Sequence, residues 1–133
     1  MAPPRPAPLR VTVVSSNVET LERLLAYLEE SGAPARGERS IDALKAIATG
    51  TTAVVLFPDD YDADGVTAAL LELRRLRPRV LIVVVTRTPR RFQAALAPDG
   101  RSLPPLLMPK ASFGWSILDA IRAHAHSRAK GQS

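Results

Sequence analysis

A cluster of carboxylates is the strongest sign of chemistry in this sequence, because four aspartates fall within six residues. They are Asp59, Asp60, Asp62 and Asp64. The string from Asp60 to Gly65 matches the first half of a calcium-binding loop, in which alternate side chains offer oxygen ligands. A complete loop also needs a bidentate acid at its twelfth position, which here is Leu71. We therefore treat Asp60, Asp62 and Asp64 as weak metal candidates and predict no bound metal or other cofactor.

Other familiar catalytic and metal-binding groups are missing or unsuitably spaced. The 133-residue chain has no cysteine, which excludes disulfides, thiol nucleophiles and thiolate metal sites. His124 and His126 are two residues apart, so on a helix they point to different sides and do not share a metal. Ser15 and Ser16 are candidate kinase targets, but their position between a strand and a helix favours a structural role.

The charge is distributed unevenly along the chain, although the net charge is only +5. The acidic loop is followed by a stretch rich in arginine, which comprises Arg74, Arg75, Arg77, Arg79, Arg87, Arg90, Arg91 and Arg101. This pattern suits a partner attracted by charge, and it equally fits an arginine-rich solvated surface. No helix-turn-helix, zinc-finger or aromatic RNA-stacking motif accompanies the arginines, which disfavours nucleic acid as the main partner.

Predicted strands and helices alternate along the chain. Apolar, β-branched runs predict strands at residues 9–15, 53–57, 80–86 and 106–108, and a weaker strand at residues 33–39. Pro34 would confine that weaker strand to a sheet edge. Apolar residues at helical spacing predict helices at about residues 18–31, 40–50, 66–76, 90–97 and 112–125. Because the two best strands are apolar on both faces, we predict a mainly parallel sheet covered by helices on both sides, a doubly wound α/β fold.

The two ends of the chain differ in composition from the predicted domain. Residues 1–8 contain four prolines and are predicted to be a disordered tail. Residues 126–133 are predicted to be a polar tail, which leaves one domain at residues 9–125. No segment is apolar enough to be a signal peptide or a membrane span, so we expect a cytoplasmic protein.

In this arrangement the chain resembles a receiver domain of bacterial response regulators, the CheY-like family, over roughly residues 9–125. Asp64 and Gly65 match the Asp-Gly turn of the family. Thr86 matches the Ser or Thr that closes the fourth strand, and Lys110 matches the Lys that closes the fifth. The resemblance implies a flavodoxin-like, five-stranded parallel sheet in the order 2-1-3-4-5 with helices on both faces.

The acidic residues that the family uses for phosphorylation have no counterparts here. Ser15 and Ser16 stand at the acidic pair of the family, and Phe57 stands at the phosphoacceptor aspartate. A phenylalanine has no atom that can attack a phosphoryl group, and serine hydroxyls are weak ligands for Mg²⁺. The resemblance therefore implies a degenerate pocket formed by Ser15, Ser16, Phe57, Thr86 and Lys110.

Three further expectations concern the surroundings of this pocket. We expect Lys110 to pair with Asp59 or Asp60, since its usual acidic neighbours are missing. Ala111 follows the lysine where the family usually has proline, so we expect a trans peptide bond between Lys110 and Ala111. If Phe57 packs into the core, Asp59 or Asp60 stays open as an off-register phosphoacceptor.

The resulting hypothesis is a pseudo-receiver, a non-enzymatic protein-interaction module in bacterial signal transduction. In the family, a face formed by the fourth helix, fifth strand and fifth helix commonly mediates dimerisation or output. Here that face corresponds to residues 90–97, 103–108 and 113–124, with the candidate contact residues Arg90, Arg91, Leu107 and Trp115. The expected partner is another protein or a second copy of the chain, and not a membrane. Two alternatives stay open: a receiver still switched by phosphotransfer or a ligand, and a nucleic-acid-associated module.

Overall fold

A five-stranded sheet forms the centre of the computed structural model, which describes residues 9–110, 112 and 114–131. Its strands are β1 (Val11–Val14), β2 (Ala35–Glu38), β3 (Ala53–Leu56), β4 (Leu81–Thr86) and β5 (Leu106–Pro109). Their order across the sheet is β2-β1-β3-β4-β5, and every neighbouring pair is parallel. The predicted fold and strand order are confirmed. The tail predicted at residues 1–8 lies outside the described residues.

Helices of two kinds connect the strands. The α-helices are α1 (Val18–Glu30), α2 (Ala63–Leu76), α3 (Gln93–Leu96) and α4 (Gly114–Gly131). The 3₁₀ helices cover Ile41–Ala46, Pro58–Asp60 and Pro89–Phe92. In the part of the chain that the structure describes, no helix is long and apolar enough to cross a membrane.

Each face of the sheet packs against its own apolar core. On one face, Val55 and Val83 of the central strands pack with leucines and isoleucines of α1 and α4. On the other face, Val54 and Val84 pack with α2 and with Phe92. Every residue of β3 and β4 is buried, as expected for strands that place alternate side chains in two cores.

The weak prediction of an edge strand near Pro34 is confirmed by β2, although its sequence is largely polar. Gly37 explains how this strand can pack under α1. A Cβ atom at that position would lie 2.7 Å from Leu25 Cδ1, which is closer than atoms can approach. The absence of a side chain thus lets the leucines of α1 cover β2.

The helix predicted at residues 40–50 is instead the shorter 3₁₀ helix Ile41–Ala46. Ser40 caps this helix, because its hydroxyl accepts a hydrogen bond from the Asp42 N–H at 3.2 Å. The apolar residues recur every third position, as Ile41, Leu44 and Ile47. That spacing matches the three residues per turn of a 3₁₀ helix better than the 3.6 of an α-helix.

Three other helix boundaries differ from the predictions. The helix predicted at residues 90–97 divides into the 3₁₀ turn after Pro89 and the single turn of α3. α2 begins at Ala63 and not near residue 66, because the Asp62 carboxylate caps it by accepting from the Gly65 N–H at 3.0 Å. α4 continues to Gly131, past the predicted end at residue 125, since alanine, arginine and lysine in that segment are good helix formers.

Arg74 lies in the arginine-rich stretch, yet it is buried, with an exposed fraction of 3%. Its guanidinium donates hydrogen bonds to the carbonyl oxygens of Ala95 at 2.7 Å and Ala97 at 2.8 Å, and to the Ser102 hydroxyl at 2.9 Å. The Asp99 carboxylate lies 3.5 Å from Arg74 Nη2. Hydrogen bonds from the N–H groups of Ser102 and Arg101 and from the Ser102 hydroxyl hold the pKa of Asp99 well below its usual range.

A second arginine also binds the chain itself. The Arg77 guanidinium donates to the carbonyl oxygens of Ile47 at 3.2 Å and of Ala48 and Thr51 at 3.3 Å. The interpretation of all these arginines as a solvated surface is therefore wrong for Arg74 and Arg77. Both hold loops against the end of α2.

We predict that Arg74→Met lowers the free energy of unfolding by roughly 1–3 kcal/mol, because it leaves buried carbonyl oxygens without a donor. Arg75→Met is the matched control, since Arg75 is exposed and pairs with its neighbour Glu72 at 2.6 Å. Urea denaturation followed by circular dichroism measures both variants. Equal midpoints for the two variants would show that the Arg74 network does not hold the loop.

Candidate functional site

The parallel sheet brings the carboxyl ends of its strands to one edge. Ser15 follows β1, Phe57 follows β3, Thr86 ends β4 and Lys110 follows β5. The residues of the predicted degenerate pocket therefore lie at the same edge, with Ser16 next to Ser15 in the chain. In doubly wound folds, ligands bind in crevices outside this edge.

Ser15 belongs to the turn that starts α1. Its side chain is buried, and its Oγ accepts a hydrogen bond from the Asn17 N–H at 3.1 Å. The Asn17 side chain in turn accepts from the Thr20 N–H at 3.0 Å and caps the helix. Ser16 is half-buried. The geometry supports the structural role that the sequence indicated for Ser15.

Phe57 continues the backbone ladder at the end of β3. Its N–H donates to the Val14 carbonyl oxygen at 3.0 Å. Its ring is partly buried and packs against the core beneath α1 and α4. An apolar ring therefore lies at the strand end where a phosphorylatable receiver has a hydrated carboxylate.

Asp59 is held at the end of β4 by two donors. Its carboxylate accepts a hydrogen bond from the Thr86 hydroxyl and another from the Arg87 N–H at 3.0 Å. The 3₁₀ turn after Phe57 brings this aspartate alongside β4. The expected pairing of Lys110 with Asp59 or Asp60 is wrong, because among the described residues no carboxylate lies within 4.0 Å of the Lys110 side chain.

The remaining acidic residues of the loop do not converge. Asp62 caps α2, whereas Asp60 and Asp64 are exposed. No group of three or more acidic or histidine side chains that could hold a metal occurs among the described residues. Partial burial raises the pKa of Tyr61, and the neighbouring charge of Asp60 raises it further. The His126 side chain and the bond between Lys110 and Ala111 lie outside the described residues.

A groove of about 540 Å³ opens between α1 and α4 at the same edge of the sheet. Its cationic residues are Arg23, Arg87 and Lys110. Its apolar and aromatic residues are Leu24, Tyr27, Phe57, Trp115 and Ile117. Thr20 and Ser112 add hydroxyl groups, and Gly114 completes the lining. No acidic residue lines this groove within the described part of the chain.

Gly114 sets how closely α4 approaches α1. A Cβ atom there would lie 3.1 Å from Tyr27 Cδ1, tighter than ordinary contact. The sequence analysis did not identify Gly114, Tyr27 or Arg23 as site residues. No local pattern could have done so, because the groove joins the first and last helices of the fold.

The candidate interaction residues occupy two places. Leu107 lies on the edge strand β5 and is 49% exposed, and Arg90 and Arg91 are exposed in the 3₁₀ turn after β4. Trp115 is 55% exposed and lines the groove with α1. Arg91 also stacks on the buried ring of Phe92, with 5.9 Å between the guanidinium carbon and the ring centroid.

Several solved receiver domains align with this chain over most of its length. A CheY-like receiver domain protein from Methanospirillum hungatei JF-1 aligns with a TM-score of 0.74 and 16% identity, covering 93% of this chain and 98% of that one. The signal receiver domain of an HD domain-containing protein from Pseudomonas fluorescens Pf-5 aligns at 0.71 and 19%, covering 98% and 97%. The chain has the receiver-domain fold.

A CheY-like receiver domain from Methylobacillus flagellatus shares more residues with this chain. It aligns with a TM-score of 0.62 and 25% identity, covering 86% of this chain and 98% of that one. No family model and no curated protein matches the sequence.

We predict that Asp59→Ala speeds amide hydrogen exchange at Arg87 and lowers the free energy of unfolding by roughly 1 kcal/mol, because the N–H and the Thr86 hydroxyl lose their acceptor. Asp60→Ala, in an exposed neighbour, is the control and should change neither quantity. Thr86→Val, made alone and together with Asp59→Ala, completes a double-mutant cycle. Additive effects of the two substitutions on the free energy of unfolding would contradict a direct Asp59–Thr86 interaction.

Proposed function

We propose that the chain is a pseudo-receiver: a protein-interaction module of cytoplasmic signal transduction that is not phosphorylated on aspartate and catalyses no reaction. The observation that carries this proposal is Phe57, whose ring packs at the end of β3. Ser15 adds support, because its hydroxyl is committed to the start of α1 and is a poor Mg²⁺ ligand. The receiver-domain fold supports a role in signalling.

An atypical receiver with a displaced phosphoacceptor is the second candidate. Asp59 favours it, since a carboxylate lies beside Thr86 at the carboxyl edge. Two features count against it. The Asp59 oxygens already accept hydrogen bonds from Thr86 and Arg87. In addition, the described residues contain no group of three or more acidic or histidine side chains that could hold the Mg²⁺ that phosphoryl transfer needs.

The proposed interaction face consists of the 3₁₀ turn with Arg90 and Arg91, α3, the edge strand β5 and the adjacent side of α4. Exposed Leu107 and the two exposed arginines are its candidate contacts. Pro104 and Pro105 precede β5 and Pro109 ends it, which disfavours simple strand-to-strand pairing at this edge. Side-chain docking of another protein or of a second copy suits the face better.

Nucleic acid is a weaker candidate partner than protein. Arg74 and Arg77, two of the arginines that raised it, donate their hydrogen bonds within the fold. They are therefore not free to contact phosphates, which supply most non-specific affinity for nucleic acid.

We predict that acetyl phosphate with Mg²⁺ leaves the chain unphosphorylated, because Phe57 offers no nucleophile. Intact-mass spectrometry measures the modification, and an aspartate-phosphorylated receiver treated in parallel is the positive control. A gain of one phosphoryl group that Asp59→Ala abolishes would replace the pseudo-receiver by the second candidate. A gain that survives this substitution would refute the pseudo-receiver and would leave Asp60 as the displaced phosphoacceptor to be tested in the same way.

We predict that reversing two charges, in Arg90→Glu with Arg91→Glu, weakens self-association or binding to a purified partner by at least about tenfold. The reason is that the introduced glutamates carry the same sign of charge as the surface that complements the two arginines, so the surfaces repel. Arg39→Glu with Lys45→Glu is the matched control, because it changes the charge equally at exposed residues away from β5. Sedimentation velocity measures association, and thermal melts check folding. Equal weakening by both pairs would mean that the proposed face is wrong.

A further inference from the structure

We propose that the groove between α1 and α4 binds a small organic anion, with an apolar ring or short chain for its body and a carboxylate or phosphate for its head. This binding site goes beyond the proposed protein-interaction function. Its volume of about 540 Å³ falls within the range of roughly 300–1,000 Å³ typical of small-molecule pockets. It opens at the carboxyl edge of the sheet, where doubly wound folds bind ligands.

The charge of the groove selects an anion. Arg87 and Lys110 both line it, and within the described residues neither side chain has a carboxylate within 4.0 Å. Arg23 is already paired with Glu19 at 2.5 Å, and the pair is exposed. Two cations thus remain unneutralised beside a partly apolar surface, where attraction to an anion is stronger than in bulk water.

The floor of the groove selects an apolar body. Leu24 and Ile117 line the groove and are buried, and the rings of Tyr27, Phe57 and Trp115 line it as well. Inorganic phosphate alone would satisfy the cations but leave this surface in contact with water. An uncharged apolar molecule would cover the surface but would leave Arg87 and Lys110 without a counter-charge. A molecule with both parts fits the whole lining.

Polar groups are also placed to orient the head of such a ligand. Lys110 and Arg87 lie on the segments that follow β5 and β4, so the head would sit at the strand ends. Thr20 adds a hydroxyl donor to the lining, whereas the Ser112 hydroxyl already donates to the Pro109 carbonyl oxygen at 2.5 Å. The body would then extend toward Tyr27 and Trp115 between the two helices.

The chain carries its own reporter for the experiment, because Trp115 is its single tryptophan and lines the groove. The probe is 8-anilinonaphthalene-1-sulfonate, an aromatic body with one anionic group. N-phenyl-1-naphthylamine is the matched uncharged probe, since it lacks only the sulfonate. We expect energy transfer from Trp115 to the anionic probe with saturable binding, and binding of the uncharged probe at least about tenfold weaker. Equal affinity for the two probes would overturn the proposal.

Paired variants locate the binding. Arg87→Gln with Lys110→Gln removes the two groove cations that have no carboxylate partner among the described residues. This double variant should bind the anionic probe about tenfold or more weakly. Arg90→Gln with Arg91→Gln removes two exposed cations outside the groove lining and should leave the affinity unchanged. Circular dichroism confirms that both variants fold. Retained affinity in the first pair, or equal loss in both pairs, would overturn the assignment.

Competition identifies the head group. Displacement of the probe by decanoate would assign a carboxylate ligand, and displacement by phenyl phosphate would assign a phosphate. Failure of both, at concentrations that leave the protein folded, would contradict the proposed ligand class. The result is independent of the phosphorylation experiment and of the Arg90 and Arg91 reversal, because each measures a different property of the chain.

Discussion

The pairing of β3 with β4 is the constraint on which the rest of the structure depends. Both strands are buried on both faces, so a shift of one residue would exchange every side chain between the two cores. The register sets Leu56 opposite Val84, and β4 therefore extends beyond the end of β3. The 3₁₀ turn Pro58–Asp60 lies beside the last residues of β4 and brings Asp59 to Thr86. The arrangement of the carboxyl edge thus follows from apolar packing in the middle of the sheet.

The same strand register gives the anion and the cations of this edge different surroundings. One carboxylate, that of Asp59, turns toward β4 and is satisfied by an O–H and an N–H donor. The cationic side chains of Arg87 and Lys110 line the groove together with the ring of Phe57. The carboxyl edge thus combines an anion that is satisfied within the fold with cations that line a groove.

The sequence predicted most of the fold, because strands buried on both faces are continuous apolar runs and helices start at recognisable caps. Asn17 and Ser40 act as such caps. The strand order came from the resemblance to receivers, which the residues Thr86 and Lys110 supported. The predictions were wrong where the partner of a side chain is distant in the chain. The acceptors of Arg74 lie 21 to 28 residues away, and nothing local to Arg74 distinguishes it from exposed Arg75. Lys110 was expected to pair with Asp59 or Asp60, but Asp59 instead accepts hydrogen bonds from Thr86 and Arg87 at the end of β4.

Some of the arginines bind the fold itself and others are exposed. The formal net charge is therefore a poor guide to the positive charge that a binding partner can contact. Arg74 and Arg77 present several N–H donors in a planar fork, which suits the converging carbonyl oxygens of loops that would otherwise be unsatisfied. Their charges are tied to the fold beneath α2. Arg87, Arg90 and Arg91 follow β4 and are exposed. The short segment after β4 therefore presents three arginines to a partner, whereas Arg74 and Arg77 present their donors to the fold itself.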